Sequence, residues 1–244
     1  MNVLSADTST ERLTVSVTDE KRILATYNSG SALRHSSLLV PLIKKAMDKA
    51  GIRREEIGLL AVGLGPGSFT GLRVGLTTMR TMAIALNRPI VGIPSMDAMA
   101  SNGLAYLKRR NLLSYYGSVC TVIDARKNNI YACLYRIDGS GLKRETKYFL
   151  GRPSVFKKKL IRQTLLLGDR AVAEALRKGT GRNRKTVFAE GCSWMPKAST
   201  IGRLALERYN ARYADNPYTI LPLYLYPDDC NVNRKIKRKV RKLG

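Results

Sequence analysis

Residues 59–75 hold the densest pattern with chemical potential. The apolar run Leu59-Leu60-Ala61-Val62-Gly63-Leu64 leads into Gly65-Pro66-Gly67-Ser68-Phe69-Thr70-Gly71-Leu72-Arg73-Val74-Gly75. A buried strand that passes through a glycine turn into a helix can cradle a phosphate, because free N–H groups and the positive end of the helix dipole converge there. The chemistry for that is incomplete. A P-loop places Lys and then Ser or Thr after its last glycine, whereas Gly71 is followed by Leu72 and Arg73. A dinucleotide-binding turn wants an acidic residue about 20 positions further on, and none stands there. Ser68 or Thr70 is instead suited to cap the next helix. Gly67, Gly71 and Gly75 recur every four residues and strip one side of that helix, so that another helix, of this chain or of a partner, can approach closely.

Two aspartates supply the next candidates. Asp7 follows a short apolar run and stands six residues before Leu13; Asp124 follows another and stands six residues before Ile130. Equal spacing in the two places indicates a duplicated strand-Asp-turn-strand unit opening each half of the chain. Asp7, Thr8, Ser9 and Asp124 are the residues that could hold a nucleotide, and capping of turns by Asp7 and Asp124 through their own backbone is the competing role. His35 is the single histidine, which excludes a two-histidine metal site and an H-E-x-x-H peptidase and leaves His35 a positional role at a helix start. Cys120, Cys133, Cys192 and Cys230 form no C-x-x-C pair; they read as reduced thiols, and no zinc site follows from them.

These residues need a scaffold of alternating strands and helices. After the first unit the pattern predicts helices at 36–50, 70–86 and 95–110 with strands at 59–64 and 90–93 between them, the first helix beginning after Ser37 or kinking at Pro41. Helices at 154–162, 170–178 and 200–212 are expected in the second half. Meander strands plus βα crossovers give an α/β fold with mixed sheets and flanking helices. With 244 residues the chain divides into a first domain over 1–110, a second over 111–230 and a tail over 231–244. No start of signal-peptide type and no run of about 18 apolar residues is present, so a cytoplasmic protein without a membrane segment is expected. Trp194, the only tryptophan, is by default a core or interdomain anchor.

Charge is unevenly placed. The net charge is +25, of which residues 1–120 carry +7 and residues 121–244 carry +18. Arg234, Lys235, Lys237, Arg238, Lys239, Arg241 and Lys242 put seven cations into nine positions, a run too repulsive to fold alone and suited to phosphates through counterion release. A solvated tail that attracts any polyanion is the alternative. Only Ile236, Val240 and Leu243 are apolar there, which argues against a membrane anchor.

The stretch 65–75 resembles the hallmark of the TsaB family, the bacterial partner subunit in threonylcarbamoyladenosine synthesis. Arg34-His35-Ser36-Ser37-Leu38-Leu39-Val40-Pro41, Asp124-Ala125-Arg126-Lys127 with Ile130-Tyr131, and Pro222-Leu223-Tyr224-Leu225 are similar to three further family segments, in order. The likeness is dense over 1–135 and thin over 140–215. It implies the actin, Hsp70 and sugar-kinase (ASKHA, ribonuclease H-like) fold in two duplicated domains, whose catalytic members follow each aspartate with glycine. Here Thr8-Ser9 and Ala125-Arg126 stand in those places, and Gly191-Cys192-Ser193-Trp194 is a poor adenosine clamp. The catalytic sister family, TsaD, binds its metal through two histidines four apart, a pair this chain lacks.

What the resemblance implies is a noncatalytic subunit that pairs with TsaD, helps assemble the ATPase TsaE, and serves transfer of threonylcarbamoyl to the adenosine beside the anticodon of tRNAs reading A-starting codons. ATP and metal belong to the partner subunits, this chain holding no cofactor of its own, and a homodimer forms when TsaD is absent. The expected interface comprises His35, Leu38, Leu39, Leu42, Gly67, Phe69, Thr70, Gly71, Gly75 and Met79; the +18 of the second half, which the resemblance does not itself predict, adds the expectation that this half holds tRNA phosphates. A basic RNA-binding or ribosome-associated protein and a stand-alone phosphotransferase working through Asp7 and Asp124 are the other readings.

Overall fold

A computed structural model describes residues 1–29, 35–139, 141–177, 187–188 and 195–225. The first half runs β1 (Asn2–Asp7), β2 (Leu13–Thr18), β3 (Ile23–Ser29), α1 (His35–Ala50), β4 (Ile57–Gly63), α2 (Phe69–Ala85), β5 (Ile90–Ile93) and α3 (Ser95–Arg109). The second half runs β6 (Ser118–Asp124), β7 (Ile130–Asp138), β8 (Gly141–Arg144), β9 (Phe149–Gly151), α4 (Pro153–Phe156), β10 (Thr164–Gly168), α5 (Arg170–Arg177), β11 (Val187–Phe188) and α6 (Ala198–Asn210). The first sheet has the order β3-β2-β1-β4-β5 and the second β11-β10-β6-β7-β8, with β9 also paired to β7. In both sheets the central strand pairs antiparallel with its hairpin partner and parallel with the next crossover strand. The duplicated α/β architecture expected from the aspartate spacing is therefore present, strand for strand.

Alternation explains the sheets and helical spacing the helices. β1, β2 and β4 are buried almost throughout, as strands covered on both faces must be. Leu39, Ile43 and Ala46 of α1 and Leu76, Met79 and Ala83 of α2 pack on one face of the first sheet. α1 does not begin after Ser37 but at His35, and runs through Pro41; Pro41 is the seventh residue, and the helix tolerates there the loss of one backbone donor. In the second half, the expected helix 154–162 is only α4 and a 3-10 turn over Lys157–Lys159, because Leu160 leaves the helical conformation to feed β10. The chain order of the two halves does not describe their packing. The last helix of each half crosses to the other sheet: α3 lies against β6 and β10, and α6 lies against β1, β2 and β4. Ile201, Ala205 and Leu206 of α6 thus share a core with Val3, Leu59 and Val91, while Met96, Ala100 and Leu107 of α3 share one with Val119 and Leu165. A division at residue 110 follows the chain, and packing crosses it in both directions.

Candidate functional site

The carboxyl ends of β1, β4 and β5 meet at one point, where an open α/β sheet ordinarily takes its ligand. Asp7 ends β1 there and is fully buried. Its Oδ1 accepts from the Ser9 N–H at 2.9 Å and from the Ser9 hydroxyl at 2.6 Å, and its Oδ2 accepts from the Ser95 hydroxyl at 2.6 Å. Ser95 opens α3, its Oγ also accepts from the Gly65 N–H at 3.0 Å, and its N–H donates to the Gly65 carbonyl at 2.8 Å. Burial pushes the Asp7 carboxyl above the usual carboxylate range, against the hydrogen bonds from Ser9 and Ser95 that pull it down.

The glycines of the loop and of α2 are what allow this closure. The Ser68 N–H donates to the Ser9 carbonyl at 2.7 Å, and the Thr8 hydroxyl donates to the Gly71 carbonyl at 2.7 Å. A Cβ at Gly67 would lie 2.0 Å from the Ser9 carbonyl oxygen, one at Gly71 2.2 Å from that of Thr8, and one at Gly75 2.1 Å from the Thr8 hydroxyl. The stripe is thus filled by the turn after β1. This corrects the expectation that Gly67, Gly71 and Gly75 present a groove to another helix: the occupant is a turn of the same chain. Ser68 caps α2, accepting from the Gly71 N–H at 3.2 Å.

Other members of the expected interface also lie inside. His35, Leu39 and Met79 are buried, Leu39 and Met79 in the core of the first sheet. His35 stands within 3.3 Å of the Glu11 carbonyl oxygen through Nε2, beside the Asp7 turn. Leu38 and Leu42 are half-buried, while Phe69 and Thr70 are exposed at the start of α2. Phe69 carries a stack: the Arg73 guanidinium lies 3.9 Å from its ring centre, and the Tyr224 ring stands 5.2 Å from it. Tyr224 arrives because the Leu223 N–H donates to the Leu64 carbonyl at 2.8 Å, so the closing segment of the chain returns to the glycine loop.

The second aspartate turn is open. Asp124 accepts from the Arg126 N–H at 2.8 Å and pairs with the Arg126 guanidinium at 3.4 Å. Arg126, Lys127 and Asn128 all have φ between 53° and 64°, a run of three left-handed residues without a glycine. Both aspartates cap their own turns, and in addition Asp7 is tied to α3. Among the described residues no group of three or more His, Cys, Asp or Glu is placed to hold a metal, and Cys120 and Cys133 are buried free thiols that burial pushes up. The segment 234–242, Arg34, Trp194, Cys192 and Cys230 lie outside the described residues.

One cluster has no signal in the sequence. Asp97, in the first turn of α3, accepts from the Tyr135 hydroxyl at 2.7 Å, the Tyr148 hydroxyl at 2.8 Å and the Arg144 guanidinium at 2.8 Å. It fixes α3 to β7, β8 and the segment before β9. Burial, then the Asp97 charge, push both phenols well up, so they remain donors. A cleft of about 590 Å³ opens beside it between α3, α6 and β8, and neither aspartate turn lines it. The donors come from positions 38 to 51 residues away, beyond any local periodicity.

A family profile described as "TsaD: tRNA N6-adenosine threonylcarbamoyltransferase" matches residues 28–183. The chain is similar to the tRNA threonylcarbamoyladenosine biosynthesis protein TsaB of Bacillus subtilis, 28% identical over 136 residues, or 56% of each chain. It therefore spans just over half the length of that relative. It is 25% identical to TsaB of Haemophilus influenzae over 232 residues, 92% of this chain and 93% of that one. In fold it is similar to YeaZ from Pseudomonas aeruginosa, with a TM-score of 0.74 at 22% identity over 92% of this chain and 99% of that one. The profile spans the glycine loop and the Asp124 hairpin, and the chain belongs to the TsaB family, with an ASKHA-like fold.

Proposed function

We propose that this chain is a noncatalytic partner subunit of a TsaD-type threonylcarbamoyltransferase, acting in threonylcarbamoyl modification of the adenosine beside the anticodon of tRNAs that read A-starting codons. The observation that carries this reading is the closure of the Asp7 turn. A phosphate needs backbone N–H groups free at the strand end. Here the Ser68 N–H donates to the Ser9 carbonyl, and both Asp7 oxygens accept from side chains of the same chain. A turn so filled disfavours a stand-alone phosphotransferase working through Asp7 and Asp124, and leaves ATP and metal to the partner subunits, TsaD and the ATPase TsaE.

The surface offered to the partner is the outer side of α1 and α2. Val40, Phe69 and Ile84 are exposed there, at 59%, 54% and 40%, with Leu38 and Leu42 half-buried beside them. Exposed apolar helix faces of this kind mark interaction sites, and the same face joins two copies of this chain when TsaD is absent. The test is reconstitution. Purified chain and TsaD from the same source are mixed, co-elution is followed by light scattering, and threonylcarbamoyl transfer to tRNA is assayed with and without this chain. A complex of the two and transfer that depends on both is the expected result; no complex, with transfer unaffected by this chain, overturns the reading.

A further inference from the structure

The excess positive charge of the second half is organised on the folded surface, not confined to the tail. Every described carboxylate between 121 and 177 is already engaged. Asp124, Asp138, Glu145 and Glu174 each pair with an arginine, and Asp169 caps α5 by accepting from the Ala171 N–H. Two of those arginines, Arg136 with Asp138 and Arg162 with Glu145, stand among the exposed Lys143, Lys158 and Lys159, so five cations there face two carboxylates. Arg136 on β7 and Lys143 on β8 are direct cross-strand partners, both exposed. Side chains in that relation stand about 5 Å apart at Cβ, and like charges so placed repel. Lysine on a short edge strand discourages pairing with another chain, and Arg136 opposite it is held only loosely, by Asp138 at 3.9 Å with both side chains exposed.

More cations reach the same end of the sheet. Arg136 also pairs with Ser118 of β6, and Arg162 packs over the adjoining Gly117, where a Cβ would meet its side chain at 3.0 Å. Lys158 and Lys159 are exposed on the 3-10 turn between Phe156 and Leu160, two side chains buried on that face of the second sheet. We propose that this face, with Arg136, Lys143, Lys158, Lys159 and Arg162, is a docking surface for the phosphate backbone of the tRNA substrate. The five cations outnumber the two carboxylates paired among them, Asp138 and Glu145, and release of counterions from that excess drives association with phosphates. The proposal rests on the tRNA-modification reading for the identity of the RNA.

The test measures binding of fluorescently labelled tRNA to the full chain, alone and with TsaD, by anisotropy over a range of salt. Arg136→Gln with Lys143→Gln, and separately Lys158→Gln with Lys159→Gln, are compared with Lys21→Gln and Arg22→Gln in the exposed turn between β2 and β3. Each pair on the proposed face is expected to weaken binding about tenfold at low salt and to lower the slope of log Kd against log salt by about two. The control pair leaves both unchanged. Unaltered affinity and slope in both test pairs, or an equal loss in the control, overturns the proposal, as does binding to phosphatidylserine vesicles with no binding to tRNA. Circular dichroism checks that each variant is folded. Because tRNA affinity is read directly, loss of the TsaD complex with the tRNA effect intact counts against the subunit reading alone, and a tRNA affinity indifferent to these cations counts against this surface alone.

Discussion

Asp7 and Asp124 end equivalent strands and stand six residues before the next strand, yet one is buried against α2 and α3 and the other is half-buried beside three left-handed residues. The difference lies in the segments that pack on each turn. After β4 the chain supplies Gly67, Gly71 and Gly75, which admit the Thr8-Ser9 backbone to the helix, and Ser95 of α3 reaches Asp7. After β10 the chain supplies Asp169, which bonds back to Val122 and caps α5, and the Asp124 carboxylate is held by Arg126 of its own turn. A duplicated unit has thus been turned into packing at one end and a charged loop at the other. On the noncatalytic reading proposed above, neither turn performs chemistry.

Filling the glycine stripe should disrupt the closed end most. Gly71→Val should destabilise the protein by about 4 kcal/mol in chemical denaturation, because its Cβ falls on the Thr8 carbonyl oxygen, which is backbone and cannot move aside. Gly139→Ala is the reference: it has open space and only its φ of +58° to strain, so about 1 kcal/mol is expected. Ser95→Ala removes the donor to Asp7 and the acceptor for the Gly65 N–H, both buried, and should cost about 2 kcal/mol.

The Asp7 carboxyl distinguishes the two ends through pH. Its pKa in the folded protein is raised above the unfolded value by burial, so between the two values the folded state binds more protons. Stability attributable to Asp7 is therefore full below the unfolded value and falls as pH rises through the raised folded value. Asp7→Asn, which retains an acceptor for Ser9, should remove that fall; equal pH dependence of variant and parent in thermal melts would contradict the assignment. The smallest effect belongs to the open turn. Lys127→Gly relieves a φ of +53° and should raise stability by up to about 1 kcal/mol without touching the Asp7 end.

The two turns are unequally legible in the sequence. Strand-Asp-turn-strand spacing is enough to place both hairpins, and apolar periodicity places α1, α2 and α3 to within a residue or two. The glycine spacing is visible as well, but not its occupant, because a stripe without side chains says only that something approaches, and a turn about 60 residues earlier is as good as a helix. Exchange of α3 and α6 between the sheets leaves no trace either, since both helices have ordinary amphipathic patterns and the pattern does not name the sheet they cover. β8 escapes the periodicity because Lys143 and Arg144 interrupt it, β9 because it is three residues long, and β10 because a five-residue buried run does not distinguish strand from helix. The Asp97 cluster depends on tyrosines whose spacing from it carries no period.

The decisive measurement is threonylcarbamoyl transfer by the reconstituted complex in which this chain carries Asp7→Asn together with Asp124→Ala, after light scattering has shown that the complex forms. A subunit that does no chemistry of its own predicts transfer at the parent rate. An intact complex whose transfer rate falls a hundredfold would contradict the noncatalytic reading and return the aspartates to the reaction.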